Sequence, residues 1–297
     1  MTIKLAVIPV AGRGTRLLPL AKSQPKEMLP VGRKPIVQYV VEELYHCGLE
    51  KMLFITGPGK TAIENHFDLD PELTEHLRHT GKEELLAELE FEREKIQYFY
   101  TRQRKQLGLG HAVLCAEPMI GRENFVVALG DSVLGIHAAS KVVRQMITEF
   151  EKKSAAAVIS FEKVPLQDVH RYGIAAPKEG EEVQEGHIFQ LSNIVEKPSA
   201  EEAPSQLAVA SRYVFSGEIF DYLKKTKPGK GGEIQLTDAI QAMITDGKKV
   251  YGLSISHADR RFDVGNFESY FEAFLEFAFN DPDYGLSIQK KMRELLK

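Results

Sequence analysis

Residues 11–31, AGRGTRLLPLAKSQPKEMLPV, place Gly12, Gly14, Arg16 and Lys26 in one stretch directly after a short apolar run. Glycines at a strand end let backbone N–H groups approach an anion closely, and basic side chains on the same loop can reach that anion too. The chemistry suggested is phosphate binding, which can take three forms. The dinucleotide fingerprint G-x-G-x-x-G opens straight into a helix. Here Leu17 stands at the third glycine, and Pro19, Pro25 and Pro30 argue against an unbroken helix. A P-loop needs G-x-x-x-x-G-K-[ST]. FITGPGKTAIE supplies Gly59, Lys60 and Thr61 but has Phe54 where the earlier glycine belongs, so it reads as a loop ending in a helix cap. A nucleotide loop after the first strand remains, with Lys22 either a further contact or solvated charge.

Such a loop needs a rigid frame. IKLAVIPV (3–10) reads as a strand buried on both faces, 34–48 as a helix stopped by Gly48, 51–56 as a second buried strand and 60–67 as a short helix. Residues 71–94 are charged with leucines at helical spacing, which predicts surface helices. Strands at 95–100, 124–131 and 155–164 alternate with helices in GHAVLCAEP and ASKVVRQMITEFEKK, the pattern of a mostly parallel sheet covered on both faces. After about residue 165 strand-like pieces at 171–177, 186–198 and 207–216 are separated by polar loops, which suggests a mixed extension of that sheet. Helices at 216–225, 233–246, 266–279 and 285–296 close the chain, and the acidic patch 178–186 reads as a solvated turn. A single domain, 1–297, is the economical division.

Composition narrows the function. The chain has 297 residues, 43% hydrophobic and 27% charged, which is enough for a large core. Its net charge of −4, from 38 basic and 42 acidic residues, excludes a nucleic-acid binder that relies on a global positive field. No apolar run is long enough for a membrane span, and the N-terminus does not read as a signal peptide. Cys47 and Cys115 fit neither a zinc nor a redox spacing and read as reduced thiols of a cytoplasmic protein.

The loop, extended to AGRGTR…PKEMLPVGRKPIVQYVVEEL, resembles the signature of the sugar-1-phosphate nucleotidyltransferases. TAIENHFD, RQRKQLGLGHAV, IVEKP, LAVASRYVFS, GGEIQLTDAI and FDVGN follow in the family's order, so the resemblance covers roughly residues 3–280. It implies an α/β fold: a mostly parallel, Rossmann-like mixed central sheet flanked by helices, with a small antiparallel elaboration and C-terminal helices. Within the single domain it implies a nucleotide part at about 1–165, a sugar part at about 166–265 and C-terminal helices at about 266–297. The implied reaction is attack of glucose 1-phosphate on the α-phosphorus of UTP, giving UDP-glucose and pyrophosphate. Such a displacement is catalysed by alignment and charge neutralisation without a covalent nucleophile.

The resemblance also implies roles. Ala11 and Gly12 border the uracil and Gly14 belongs to the same nucleotide loop, while Gln103 bonds the base edge and Gly108 leaves room for it. Arg16 and Lys26 hold the triphosphate and Lys197 the sugar phosphate. Gly173, Glu196 and Val209 contact the glucose, and Asp131 and Asp263 hold Mg²⁺. A homo-oligomer without nucleic-acid or membrane partners is expected. The dTTP-using branch of the family shares the first loop, EKP and the metal acids, but the 71–94 insertion and ENHFD favour UTP. A catalytically silent regulatory subunit would be expected to lose Arg16, Lys26 or Asp131, and all three are present. Four places depart from the family pattern: Leu20-Ala21 before Lys22, Gly32-Arg33 where an acid usually precedes Lys34, Gly130 where proline is usual, and Gly232 in place of an aspartate.

Overall fold

A computed structural model describes residues 3–93 and 95–297. In chain order its strands are β1 (Leu5–Pro9), β2 (Pro30–Val31), β3 (Lys34–Pro35), β4 (Lys51–Thr56), β5 (Gln97–Arg102), β6 (Phe125–Ala128), β7 (Ser132–Leu134), β8 (Ala157–Lys163), β9 (Gly173–Pro177), β10 (Ile188–Glu196), β11 (Leu207–Phe215), β12 (Val250–Ser254) and β13 (Arg261–Asp263). Its helices are α1 (Ile36–His46), α2 (Thr61–His66), α3 (Pro71–His79), α4 (Leu109–Leu114), α5 (Glu117–Ile120), α6 (Val142–Lys153), α7 (Ile219–Lys225), α8 (Leu236–Thr245), α9 (Phe267–Phe279) and α10 (Gly285–Leu295).

The central sheet runs β5-β4-β1-β6-β11-β8-β12-β10-β9, and the ribbons β2–β3 and β7–β13 stand outside it. β5, β4, β1 and β6 are mutually parallel. β11 then enters antiparallel to both β6 and β8, and β10 lies antiparallel to β12 and β9. The parallel character expected from strand–helix alternation therefore holds through β5, β4, β1 and β6 and returns only in the β8–β12 pair. β9, β10 and β11 follow one another without crossover helices, and such connections suit antiparallel neighbours. β1 divides its side chains between two cores: Ala6 and Ile8 pack with α1, α6 and α9, and Val7 packs on the other face with α4, α7 and α8.

Local signals act as their chemistry predicts. α1 ends in a Schellman turn, with Gly48 N–H on Tyr45 O at 2.8 Å and Leu49 N–H on Leu44 O at 3.1 Å. α3 starts from Asp70, whose carboxylate accepts from Leu73 N–H at 2.9 Å, with Pro71 in its first turn. The helical stretch expected over 71–94 is broken after His79, continues as a 3₁₀ helix over Glu83–Arg93, and ends on residue 94, which lies outside the described residues. Strand β12 was not expected, because VYGLS has too few apolar residues to stand out as a buried strand. Cys47 and Cys115 are free thiols at the ends of α1 and α4. Among the described residues no helix is long and apolar enough to cross a membrane.

One departure from the family pattern has a structural partner in the C-terminal helices. Arg33, in the turn between β2 and β3, pairs with Asp281 at 3.0 Å and Asp283 at 3.1 Å, both in the α9–α10 connection. A base at this position joins the β2–β3 ribbon to the end of the chain, where an acid would be repelled.

Candidate active site

The glycine loop leaves the C-terminal end of β1, the end of a parallel strand at which open α/β sheets bind ligands. Three short 3₁₀ turns, at Thr15–Leu17, Leu20–Lys22 and Lys26–Met28, bring it back to β2. Gly14 is left-handed, with φ 65°. A Cβ there would stand 3.0 Å from Ala21 Cβ and 3.2 Å from Lys26 Cβ, so the loop folds tightly onto the Lys26 turn. Arg16 is exposed on this loop.

Lys26 reaches inward and its ammonium bonds the Asp131 carboxylate. Burial opposes its charge, but Asp131, Glu27 and Asp263 together outweigh that and hold its pKa above the usual lysine value. Asp131 follows β6 and Asp263 ends β13. The β7–β13 ribbon pairs Ser132 with Asp263, and Val264 N–H donates to Asp131 O at 3.0 Å, so the two carboxylates are brought together. Burial pushes the Asp131 carboxyl up, but the Lys26 ammonium overrides it and the net direction is down. Asp263 moves up, first by burial and then by the charge of Asp131, with Arg261, Lys26 and Arg16 pulling the other way. Two adjacent, part-buried carboxylates, one of them paired with Lys26, therefore form an acidic corner beside the nucleotide loop.

That donor set fits a hard divalent cation. Among the described residues no group of three or more His, Cys, Asp or Glu side chains is arranged to hold a metal. A cation between Asp131 and Asp263 would therefore complete its shell from substrate phosphates and water, the usual habit of Mg²⁺. Gly130, another departure, packs against the end of β1. A Cβ on it would fall 2.5 Å from Val10 Cγ1, so a larger residue there requires the Val10 side chain to shift.

Gln103, at the end of β5, is buried at 4% exposure. Its amide nitrogen donates to Gly108 O at 3.0 Å and to His111 Nδ1 at 3.0 Å, which leaves the carbonyl oxygen to accept from a ligand N–H. Ala11 is buried just after β1, and its carbonyl accepts from Gln106 Nε2 at 2.7 Å. Gly108 also has a packing role. Its missing side chain makes room for protein, since a Cβ there would stand 2.7 Å from Glu233 Cβ and 2.8 Å from Ile234 O, at φ 95°. Gly108→Ala is expected to cost on the order of 2–4 kcal/mol, combining an unfavourable φ with overpacking, measurable by chemical denaturation.

The remaining expected residues line a second pocket of about 210 Å³, which holds Gly173, Glu196, Lys197 and Val209. A Cβ on Gly173 would lie 3.3 Å from Val209 Cγ2 and 3.4 Å from Glu196 Oε2, which shows how closely the three converge. Lys197 pairs with Glu196 at 3.2 Å and adopts φ 47°, held by its N–H on Tyr172 O at 2.9 Å. A left-handed non-glycine residue costs about 1–3 kcal/mol, and such strain clusters at ligand sites. Arg261 joins the two regions. It sits two residues before Asp263, lines the pocket, stacks on Tyr172 at 4.3 Å and pairs with Glu162 at 2.7 Å.

Several residues of the site were not expected. Thr237 donates to Glu196 Oε2 at 2.7 Å, and its only sequence signal is its place in GGEIQLTDAI. Lys60, read as part of a loop before a helix cap, is buried under the nucleotide loop and pairs with Glu27 at 2.6 Å. No sequence pattern ties those two together.

The chain belongs to the nucleotidyl transferase family, whose model matches residues 5–278. It is 43% identical to the UTP–glucose-1-phosphate uridylyltransferase of Bacillus subtilis, over 95% of this chain and 93% of that one. Among solved structures, a UTP-bound UGPase from Acinetobacter baumannii superposes with a TM-score of 0.89 at 38% identity, covering 99% of both chains. A UDP-glucose pyrophosphorylase complexed with UDP-glucose gives 0.81 at 37% identity, covering 93% of this chain and 98% of that one.

Proposed function

We propose that this protein transfers a uridylyl group from UTP to glucose 1-phosphate, releasing pyrophosphate and UDP-glucose by direct in-line displacement. One observation carries the reading: Lys26 on Asp131, with Asp263 beside it, stands at the end of the glycine loop, and β13 links that cluster to the Gly173, Glu196, Lys197 and Val209 pocket. The names of the relatives supply the substrates.

In this reading Asp131 and Asp263 hold Mg²⁺. The ion, when bound, neutralises phosphate charge as it develops. Arg16 and Lys26 face the triphosphate and offset the charge that grows on departing pyrophosphate. Gln103 accepts from the uracil N–H through its carbonyl, beside Ala11 and Gly12. Glu196, fixed by Thr237, accepts from sugar hydroxyls, and Lys197 draws the sugar phosphate toward the nucleotide. Water is displaced as the two anions meet, and alignment supplies much of the rate. The protein contributes no covalent step.

UTP, glucose 1-phosphate and Mg²⁺ incubated with purified protein are expected to release pyrophosphate in equal amount to UDP-glucose formed. With an α-thio analogue of UTP the configuration at phosphorus is expected to invert. Retention would replace the single displacement by a covalent intermediate. Absence of pyrophosphate with every hexose 1-phosphate tried would overturn the function.

A further inference from the structure

One buried ion pair has no part in the chemistry above. Glu43 of α1 and Arg212 of β11 are both fully buried, and they meet in a bidentate pair, Nε to Oε1 at 3.1 Å and Nη2 to Oε2 at 2.6 Å. The pair does not act alone. Arg212 Nη2 also donates to Ser132 O at 2.9 Å. Arg212 Nη1 donates to Ser211 O at 3.1 Å, and that same carbonyl accepts from Leu129 N–H at 3.1 Å. Ser211 lies at φ 66°, where the register of β11 shifts between Val209 and Tyr213. Segment 129–132 is thus tied to the pair directly at Ser132 and through Ser211 O at Leu129, with Asp131 between them. Asp131 O in turn holds Val264 N–H, next to Asp263.

Burying two charges is costly, and replacing such a pair with apolar residues of similar size is often neutral or stabilising. A stability role alone therefore explains it poorly. Its hydrogen bonds reach the backbone that carries one acid and positions the other, directly at Ser132 and through Ser211 O at Leu129. We propose that Glu43 and Arg212 are positioning residues that set the placement of Asp131, and through it Asp263, for a divalent cation. This rests on the reading of those two aspartates as the cation's ligands.

The test uses Mn²⁺ as the probe, its binding followed by electron paramagnetic resonance in the presence of UTP, with thermal melting in parallel. The Glu43→Leu/Arg212→Met double variant is expected to melt at or above the wild-type temperature. It should nevertheless bind Mn²⁺ about tenfold or more weakly, the usual effect of losing the groups that orient a metal ligand. If the double variant does not fold, Glu43→Gln keeps the shape and is expected to weaken Mn²⁺ binding several-fold, in the same direction. Wild-type Mn²⁺ affinity in either folded variant would overturn the inference. Mn²⁺ binding that survives Asp131→Asn would instead overturn the cation reading, so the two failures are separable.

Discussion

Asp131→Asn is expected to lower kcat by on the order of 10²–10³-fold, the usual loss on removing one stabiliser of transition-state charge. The amide keeps the size of the carboxylate, so the backbone bonds around it, Val264 N–H on Asp131 O among them, remain. What disappears is a negative charge that faces Lys26 and Asp263. Two consequences follow. Lys26 loses its main partner and is free to turn toward phosphate, which should hold KM for UTP near its wild-type value. The cation loses one of two protein ligands, so the Mg²⁺ concentration needed for half-maximal rate should rise. The measurement is a steady-state Mg²⁺ titration at saturating substrates. Unchanged kcat at limiting Mg²⁺ would leave Asp131 with a structural role only.

The second large effect separates two lysines. Lys26 meets the site through Asp131 beside the glycine loop, whereas Lys197 lies in the pocket with Glu196. An ammonium acts as a point charge, so each deletion should act on the anion it faces. Lys26→Ala is expected to lower kcat on the order of 10²-fold, because the charge it faces grows in the transition state. It also removes the ammonium bonded to Asp131 beside Asp263, so the variant's melting temperature should fall and Mg²⁺ should restore part of it. Lys197→Ala is expected to raise KM for glucose 1-phosphate by about 10–100-fold, the worth of one charge-assisted hydrogen bond, with KM for UTP changed much less. Identical kinetic defects in two folded variants would mean that one lysine is misplaced.

Much of this arrangement is legible in the residues themselves, and the rest is hidden for identifiable reasons. β1 and β4 stand out because a strand buried on both faces needs an unbroken apolar run, and Gly48 marks its helix end because a left-handed cap favours glycine. The β7–β13 ribbon has only three residues on each side, too few for any periodicity, yet it is what brings Asp263 to Asp131. Lys60 with Glu27 and Arg212 with Glu43 are separated by 33 and 169 residues. In the sequence each charged member looks like part of a solvated face, since nothing local names its partner. Gly108 signals a missing side chain without saying that Glu233 and Ile234 fill the space. The departures divide in the same way: Arg33 and Gly130 find partners and packing in the fold, Ala21 lies against Gly14, and Gly232 sits at φ 74°, a left-handed position that favours glycine.

The most direct test of the whole account is a panel of initial rates, with UTP and dTTP each paired with glucose 1-phosphate, galactose 1-phosphate and two N-acetylhexosamine 1-phosphates. The residues and relatives described above predict the highest kcat/KM for UTP with glucose 1-phosphate, and a loss of rate when either substrate is exchanged. A preference for dTTP, or for another sugar phosphate with UTP, would contradict it.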